Sequence, residues 1–397
     1  MYGLERHLMK YMGHKGKLLS FLGDLLVEEA SDANAIADPF CGSGAVSWYL
    51  AQNTKKAIMS GDLQKFAVCR AASVVERTEP VSAAAIFRPW IKRATSLVKV
   101  VVDKFPNAEA SVEPNSKATG DIISLVIRSR VFCETVLPNL LESLASQFPM
   151  TKAYGGHYFS PMQALMLDAL RATLPRVPDN RSVALAALIE TASRCAAAPG
   201  HTAQPFQPTA TSAIHIMEAW QRPVEKLLFE AIETISSRCA GKIGAARVMD
   251  FGETINSLEE GDLVFADPPY SDVHYSRFYH VLETLAHGRE VEVSGRGRYP
   301  EISKRPSSRF SLRSQSEQAA RDLIIGCHSR KLNLVLTFPS GEASNGLSAE
   351  SFMSFAKGLY SSIEEHKVDS DFSTLGGNAK SRGARLKCQE SIICFRV

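Results

Sequence analysis

Between Leu263 and Tyr270 the chain reads LVFADPPY, and this stretch limits the fold more tightly than any other. Four consecutive apolar residues suit a strand covered on both faces, as happens when helices flank a parallel sheet. The run stops at Asp267 and two prolines, which carry no backbone N–H, so a central strand cannot continue through them. A strand and a turn need only one acid and one proline. The second proline and the tyrosine ask for a further purpose. Asp267 sets a carboxylate acceptor at the strand tip, and the proline-fixed backbone holds the carbonyl of Pro268 outward. An exocyclic amine could give both its hydrogens to that pair, while Tyr270 offers a ring face to a base drawn from its stack. Asp267, Pro268, Pro269 and Tyr270 are therefore the candidate catalytic residues.

Other apolar runs also end in acids. Ala35 to Ala37 leads into DPFCGSGAVSWYLAQ, where Asp38 closes a strand and a turn holding Gly42 and Gly44 opens a helix from about Ala45. That turn has neither the GxGxxG spacing of a dinucleotide site nor the lysine of a phosphate-binding P-loop, so no bound pyrophosphate is implied. A second strand, AIMSGDL, ends on Asp62, roughly 20 residues beyond the turn, a spacing at which an acid accepts the hydroxyls of a ribose. Turn and acid together suggest a nucleoside cofactor without phosphates. Further strands are expected in AARVMDF, with Asp250 near its end, in LNLVLTF and in ESIICFRV. Open α/β sheets bind ligands beyond the carboxyl ends of their strands, so these acids should face one crevice.

From about Pro80 to Ala245 the apolar residues recur at helical spacing instead, as in GDIISLVIRSRVFCETVLPNLLESLASQF and RSVALAALIETASRCAAA. The expected organisation is an α/β sheet interrupted by a mainly helical insertion: residues 1–80 and 246–397 build the sheet, and 81–245 the insertion. Loops such as TKAYGGHYF and APGHTAQPFQPTA, rich in Gly, Pro and aromatic residues, suit exposed functional segments. With 45% hydrophobic and 22% charged residues the chain is an ordinary globular one. A net charge of +3 is too small to imply a polyanion partner by itself, so any nucleic-acid surface must be a local patch. The eight cysteines form no CxxC pair and no zinc-ligand spacing with histidine, which points to reduced thiols, no metal and a cytoplasmic setting. No signal peptide or membrane anchor is visible.

DPFCGSG, GDL and DPPY, in that order and preceded by YMGHK, resemble the S-adenosyl-L-methionine pocket of the α-class amino-methyltransferases. That group contains the Dam-type N6-adenine DNA methylases, including adenine methylases of restriction-modification systems. HYSRFYHVLETL after the tetrapeptide and YGGHYFSPMQA before it are similar to segments of such modification methylases. The resemblance implies a Rossmann-like methyltransferase sheet, a target-recognition role for the insertion, and methyl transfer to adenine N6 of a flipped base in double-stranded DNA. It implies that Tyr11 and Lys15 hold the adenine and carboxylate ends of the cofactor. In the family pattern a tryptophan and a second glycine stand where this chain has Tyr11 and His14. Asp38, Phe40, Gly42 and Gly44 would shape the methionine pocket, Asp62 would take the ribose, and Asp250 would meet the adenine amine. Direct displacement from a sulfonium needs orientation and no enzyme-bound intermediate. Cytosine C5 chemistry would need a thiolate, usually after a proline, and none of the cysteines follows one.

Downstream, Arg296, Arg298, Lys304, Arg305, Arg309 and Arg313 stand against the single acid Glu301, with Tyr299 and Phe310 interleaved. Such a segment suits a DNA backbone. His274, Tyr275 and Tyr279 are candidates for contacts to the flipped base, although Tyr279, His280 and Leu282 suit helix packing equally. Two other readings stand beside the preferred one: methylation of cytosine N4 or of RNA adenine, and a non-catalytic DNA-binding protein of the same fold within a defence complex. A restriction or defence-system partner is compatible with each.

Overall fold

The computed structural model describes residues 19–104, 118–142, 144, 147–373 and 385–397. Among these residues nine strands follow one another: β1 (Ala35–Asp38), β2 (Ala57–Asp62), β3 (Ala245–Val248), β4 (Leu263–Ala266), β5 (Val293–Ser294), β6 (Tyr299–Pro300), β7 (Asn333–Pro339), β8 (Ser362–Ser373) and β9 (Arg385–Arg396). Seven of them form one sheet in the order β3-β2-β1-β4-β7-β9-β8, and β5 with β6 makes a separate two-stranded ribbon. The pairs β3/β2, β2/β1, β1/β4 and β4/β7 are parallel, whereas β9 runs antiparallel to both its neighbours. From β1 the chain builds outward to β2 and β3 on one side and later to β4 and β7 on the other. The order reverses between β1 and β4, which is where doubly wound sheets hold their ligands.

Alternation across the pleat divides the core in two. Ile36, Leu263, Phe265, Val335, Ile392 and Cys394 pack on one face against the helices Leu19–Glu29, Ala45–Asn53, Lys65–Val75 and Ser276–His287. Ala37, Val264, Ala266, Leu334, Leu336 and Ile393 pack on the other against Phe251–Asn256, Ser316–Ser329 and Ala349–Ala356. Both faces of β4 are covered, as its unbroken apolar run requires, and all four of its residues are buried. Asp262 aligns the central strands, because its carboxylate accepts the Ala35 N–H at 2.9 Å just where β4 begins. At Gly61 a Cβ would stand 2.4 Å from Thr254 Oγ1, so β2 carries glycine where the helix Phe251–Asn256 presses on it.

Between Ala83 and Ser236 most of the described residues lie in helices, in agreement with the periodicity, with irregular loops at 155–160 and 196–212. These helices do not form a detached lobe; most share the apolar cluster of the first face, and a smaller cluster joins Thr119–Val131 to Ala213–Trp220. A buried ion pair at 3.2 Å, Arg70 with Glu190, ties the helix after β2 to the helix Pro178–Cys195. Three features escape the sequence patterns. A π-helical turn at Phe132–Val136 interrupts the helical run, β5/β6 carries the first part of the basic segment, and β8 is a strand of polar composition at the sheet margin.

Candidate active site

The carboxyl ends of β1 to β4 open into one crevice, about 1220 Å³ when counted out to its open mouth. Asp38, Phe40, Gly42, Asp62, Asp250, Asp267, Pro268, Pro269 and Tyr270 all line it, so residues spread over more than 230 positions of sequence meet around one space. Gly44 does not line it. Its role is conformational: at φ 78° it starts the helix Ala45–Asn53, where a Cβ would press within 3.4 Å of the Ala71 backbone. Tyr11 and Lys15 lie outside the described residues.

Each acid is held differently. Asp38 is fully buried, and its Oδ2 accepts from Ser47 Oγ at 2.6 Å, which in turn accepts from Ser60 Oγ at 2.9 Å. Burial pushes its pKa up to about 7, against the Ser47 hydrogen bond and with help from the charges of Asp267 and Asp62. Asp62 accepts the Gly42 N–H on Oδ2 at 2.9 Å and the Gln64 N–H on Oδ1 at 2.8 Å. It thus fastens the glycine turn to the start of the next helix. Burial raises it to about 6, opposed by those backbone hydrogen bonds and reinforced by Glu283. Asp250 caps the helix Phe251–Asn256 through a 2.8 Å bond from the Glu253 N–H to one of its oxygens. Asp267 is half-buried at the tip of β4, and Thr337 Oγ1 on β7 donates to its Oδ1 at 2.8 Å. Tyr270 meets Phe338 edge-on at 6.4 Å.

Three buried polar atoms on the crevice wall, Asp38 Oδ1, Gln64 Oε1 and Ser276 Oγ, make no hydrogen bond among the described residues. Buried polar atoms are nearly always paired, so three on one wall mark a surface shaped for a polar ligand. The apolar side is aromatic. Phe40 stacks on Phe251 with centroids 5.8 Å apart, and both meet the buried Phe310 edge-on at 5.5 and 5.4 Å.

Phe310 belongs to the basic segment, and that segment departs from expectation. Its Pro306, Ser307, Ser308 and Arg309 line the crevice itself. Arg309 lies over the Phe251 ring at 5.1 Å and pairs with Asp322 at 2.6 Å. Arg298, expected at a DNA backbone, points inward: it donates to Ala153 O at 2.6 Å and to Glu134 Oε1 at 2.7 Å, pinning the β5/β6 turn to the helical region. Arg305 lies over Tyr299 at 5.3 Å, with Nε buried. These three guanidiniums are committed within the protein because the segment folds back on the core. Arg296, Lys304 and Arg313 stay exposed, the last two with only loose 3.8 Å ion pairs.

Of the aromatic residues after the tetrapeptide, Tyr275 lines the crevice and His274 does not. Tyr279 is buried against Phe66 at 5.2 Å, and His280 directs its two ring nitrogens at the carbonyls of Arg277 and Gly297. Both are packing residues. In the same helix Glu283 accepts the N–H groups of Lys65 and Phe66, each at 3.0 Å, and so caps the helix that follows Asp62. Gln64 and Phe251, each beside an acid already singled out, were within reach of sequence reasoning; Thr337 and Ser276 carried no signal. Among the described residues no group of His, Cys, Asp and Glu could hold a metal ion, and no helix is long and apolar enough to cross a membrane.

Fold and crevice define an α/β protein with its ligand site at the switch point of a doubly wound sheet, walled by acids and phenylalanines. The profile of the D12 class N6 adenine-specific DNA methyltransferases matches residues 11–118 and 199–331, more than half of the chain, and the chain belongs to that family. It is also 22% identical over 400 residues to the modification methylase LlaI of Lactococcus lactis subsp. lactis, an alignment covering 98% of this chain and 55% of LlaI. The chain thus spans about half the length of this curated relative.

Proposed function

We propose that the chain transfers a methyl group from S-adenosyl-L-methionine to N6 of an adenine turned out of double-stranded DNA. One observation carries the reading: carboxylates at the tips of four adjacent strands share a crevice with three buried polar atoms that make no hydrogen bond among the described residues. The residues fit the cofactor. Asp38 lines the crevice, and its buried Oδ1, without a hydrogen bond among the described residues, suits a cationic ammonium. Each Asp62 oxygen accepts one backbone N–H and keeps a lone pair for a ribose hydroxyl. Asp250 uses one oxygen as a helix cap and retains the other for an adenine amine, beside the stacked Phe40 and Phe251. When bound, S-adenosyl-L-methionine supplies a methyl group already activated on a sulfonium.

The protein's own task is orientation. Thr337 fixes the Asp267 carboxylate, which with the Pro268 carbonyl draws the two amine hydrogens and directs the nitrogen lone pair across the crevice. Tyr270 provides the stacking face, a contact worth ~1–3 kcal/mol. The exposed Arg296, Lys304 and Arg313 would meet phosphates, and residues 81–245 would read the target site. The name of the Lactococcus relative, a modification methylase, supports a modification role, which we place in the cytoplasm and beside a restriction or defence partner. The test is tritium transfer from labelled S-adenosyl-L-methionine to DNA that contains every short site, followed by nucleoside analysis. N6-methyladenine should form, and Asp267→Ala should lower the rate by on the order of 100-fold or more. Label in N4-methylcytosine, or none in DNA, would overturn the reading.

A further inference from the structure

Asn345 lies in the loop after β7 and is 1% exposed. Its Oδ1 accepts the Leu347 N–H at 3.2 Å, which places the amide nitrogen on the opposite side. From there Nδ2 donates to two carbonyls at 3.1 Å each, Pro269 O in the tetrapeptide and Phe310 O in the segment that closes the crevice. Both hydrogens of one amide are thus spent joining the base-gripping loop to the aromatic wall of the cofactor pocket. The Phe310 ring touches Phe40 and Phe251, so a shift of the Phe310 backbone moves that wall, and a shift of Pro269 moves the acceptor pair. We infer that Asn345 is a positioning residue for methyl transfer, fixing how far the tetrapeptide stands from the cofactor wall. The inference rests on the proposed methyltransferase activity.

A charge-neutral deletion, Asn345→Ala, leaves both carbonyls unpaired and lets the two loops drift apart. Reaction geometry is sensitive to such drift, so kcat should fall roughly 10- to 100-fold. KM for S-adenosyl-L-methionine should rise about tenfold as the wall loosens. Ser316→Ala serves as the comparison, because Ser316 Oγ donates to Asn345 O at 2.8 Å and its loss loosens the same loop while sparing the amide. It should lower the melting temperature yet keep kcat and KM within about twofold. Wild-type kinetics in Asn345→Ala, or an equal loss in Ser316→Ala, overturns the positioning role. Should Asn345→Ala not fold, amide hydrogen exchange of the wild type decides: S-adenosylhomocysteine should slow the peptides 306–313 and 342–348 together, and protection of neither or of one alone refutes the link. Absence of methyl transfer by the wild type would instead refute the proposed activity.

Discussion

The proposed seating of a cationic cofactor group against Asp38 would make binding depend on pH in a way that can be worked out in advance. Burial raises its pKa from 3.8 to about 7. Folded chain holds that proton more tightly than unfolded chain, so in the cofactor-free protein this group's contribution to stability falls as pH rises from about 4 to about 7. The gap amounts to on the order of 4 kcal/mol at full ionisation, a cost that a cation against Asp38 Oδ1 would offset. If S-adenosyl-L-methionine sets its ammonium there, binding selects the ionised carboxylate. A pKa of about 7 in the free protein then makes affinity at pH 5.5 roughly 25-fold weaker than at pH 7.5, with net proton release on binding at the lower pH. Asp62, raised to about 6, faces uncharged hydroxyls and adds at most about fourfold over the same interval. Calorimetric titration in two buffers of different ionisation enthalpy reads both affinity and proton count. Asp38→Asn should bind more weakly at pH 7.5 and retain only the shallower dependence. Equal wild-type affinity at the two pH values, or an undiminished slope in Asp38→Asn, would refute the placement of a cation against this carboxylate.

Glu283→Gln deprives the helix after Asp62 of its charged cap; the stability loss should be about 1–2 kcal/mol, read as a melting point lower by roughly 1–2 °C. S-adenosyl-L-methionine should then bind a few-fold more weakly, because the same helix start carries the Asp62 loop. Arg296→Ala, Lys304→Ala and Arg313→Ala should each flatten the plot of log DNA affinity against log salt by about 1 without altering site preference. Arg298→Ala should leave that slope alone and lower the melting temperature, since its guanidinium serves the protein interior.

The sheet and the acids at its tips were legible in the sequence because each signal was local. A buried central strand must be apolar throughout, and a carboxylate at its end stands next to it in the chain, so β1, β2 and β4 declare themselves with their acids attached. β8 does not. It lies at the margin of the sheet with Glu364 and Lys367 in its exposed positions, and a strand bearing charges has no apolar run to display. The basic segment misled for a related reason: charge density identifies a surface only if the backbone keeps the side chains outside. Composition could not foresee that Arg298 would adopt φ 54° in the β5/β6 turn and reach Ala153, or that Phe310 would draw Arg309 into the crevice.

What local patterns cannot encode is how distant pieces are kept in register, and here that work falls to single side chains. Glu283, in the helix after the tetrapeptide, caps the helix that follows Asp62; Thr337, on the next strand, fixes the Asp267 carboxylate. Arg298 and the buried Tyr158 both hold the β5/β6 turn against the helical region, the latter through a 2.8 Å contact to Gly297 O. Each of these contacts spans tens to hundreds of residues and leaves no periodicity behind. Their arrangement has a mechanical consequence. Among the routes by which the helical region reaches the crevice, one runs through Glu190 and Arg70 to the helix after β2, and another through the β5/β6 turn to the Pro306–Phe310 wall. A displacement of that region by bound DNA would therefore act on the cofactor side and the base side of the crevice at once. Substitutions at Glu190 and at Tyr158 should accordingly couple more strongly to each other in methyl transfer than their separation in sequence would suggest.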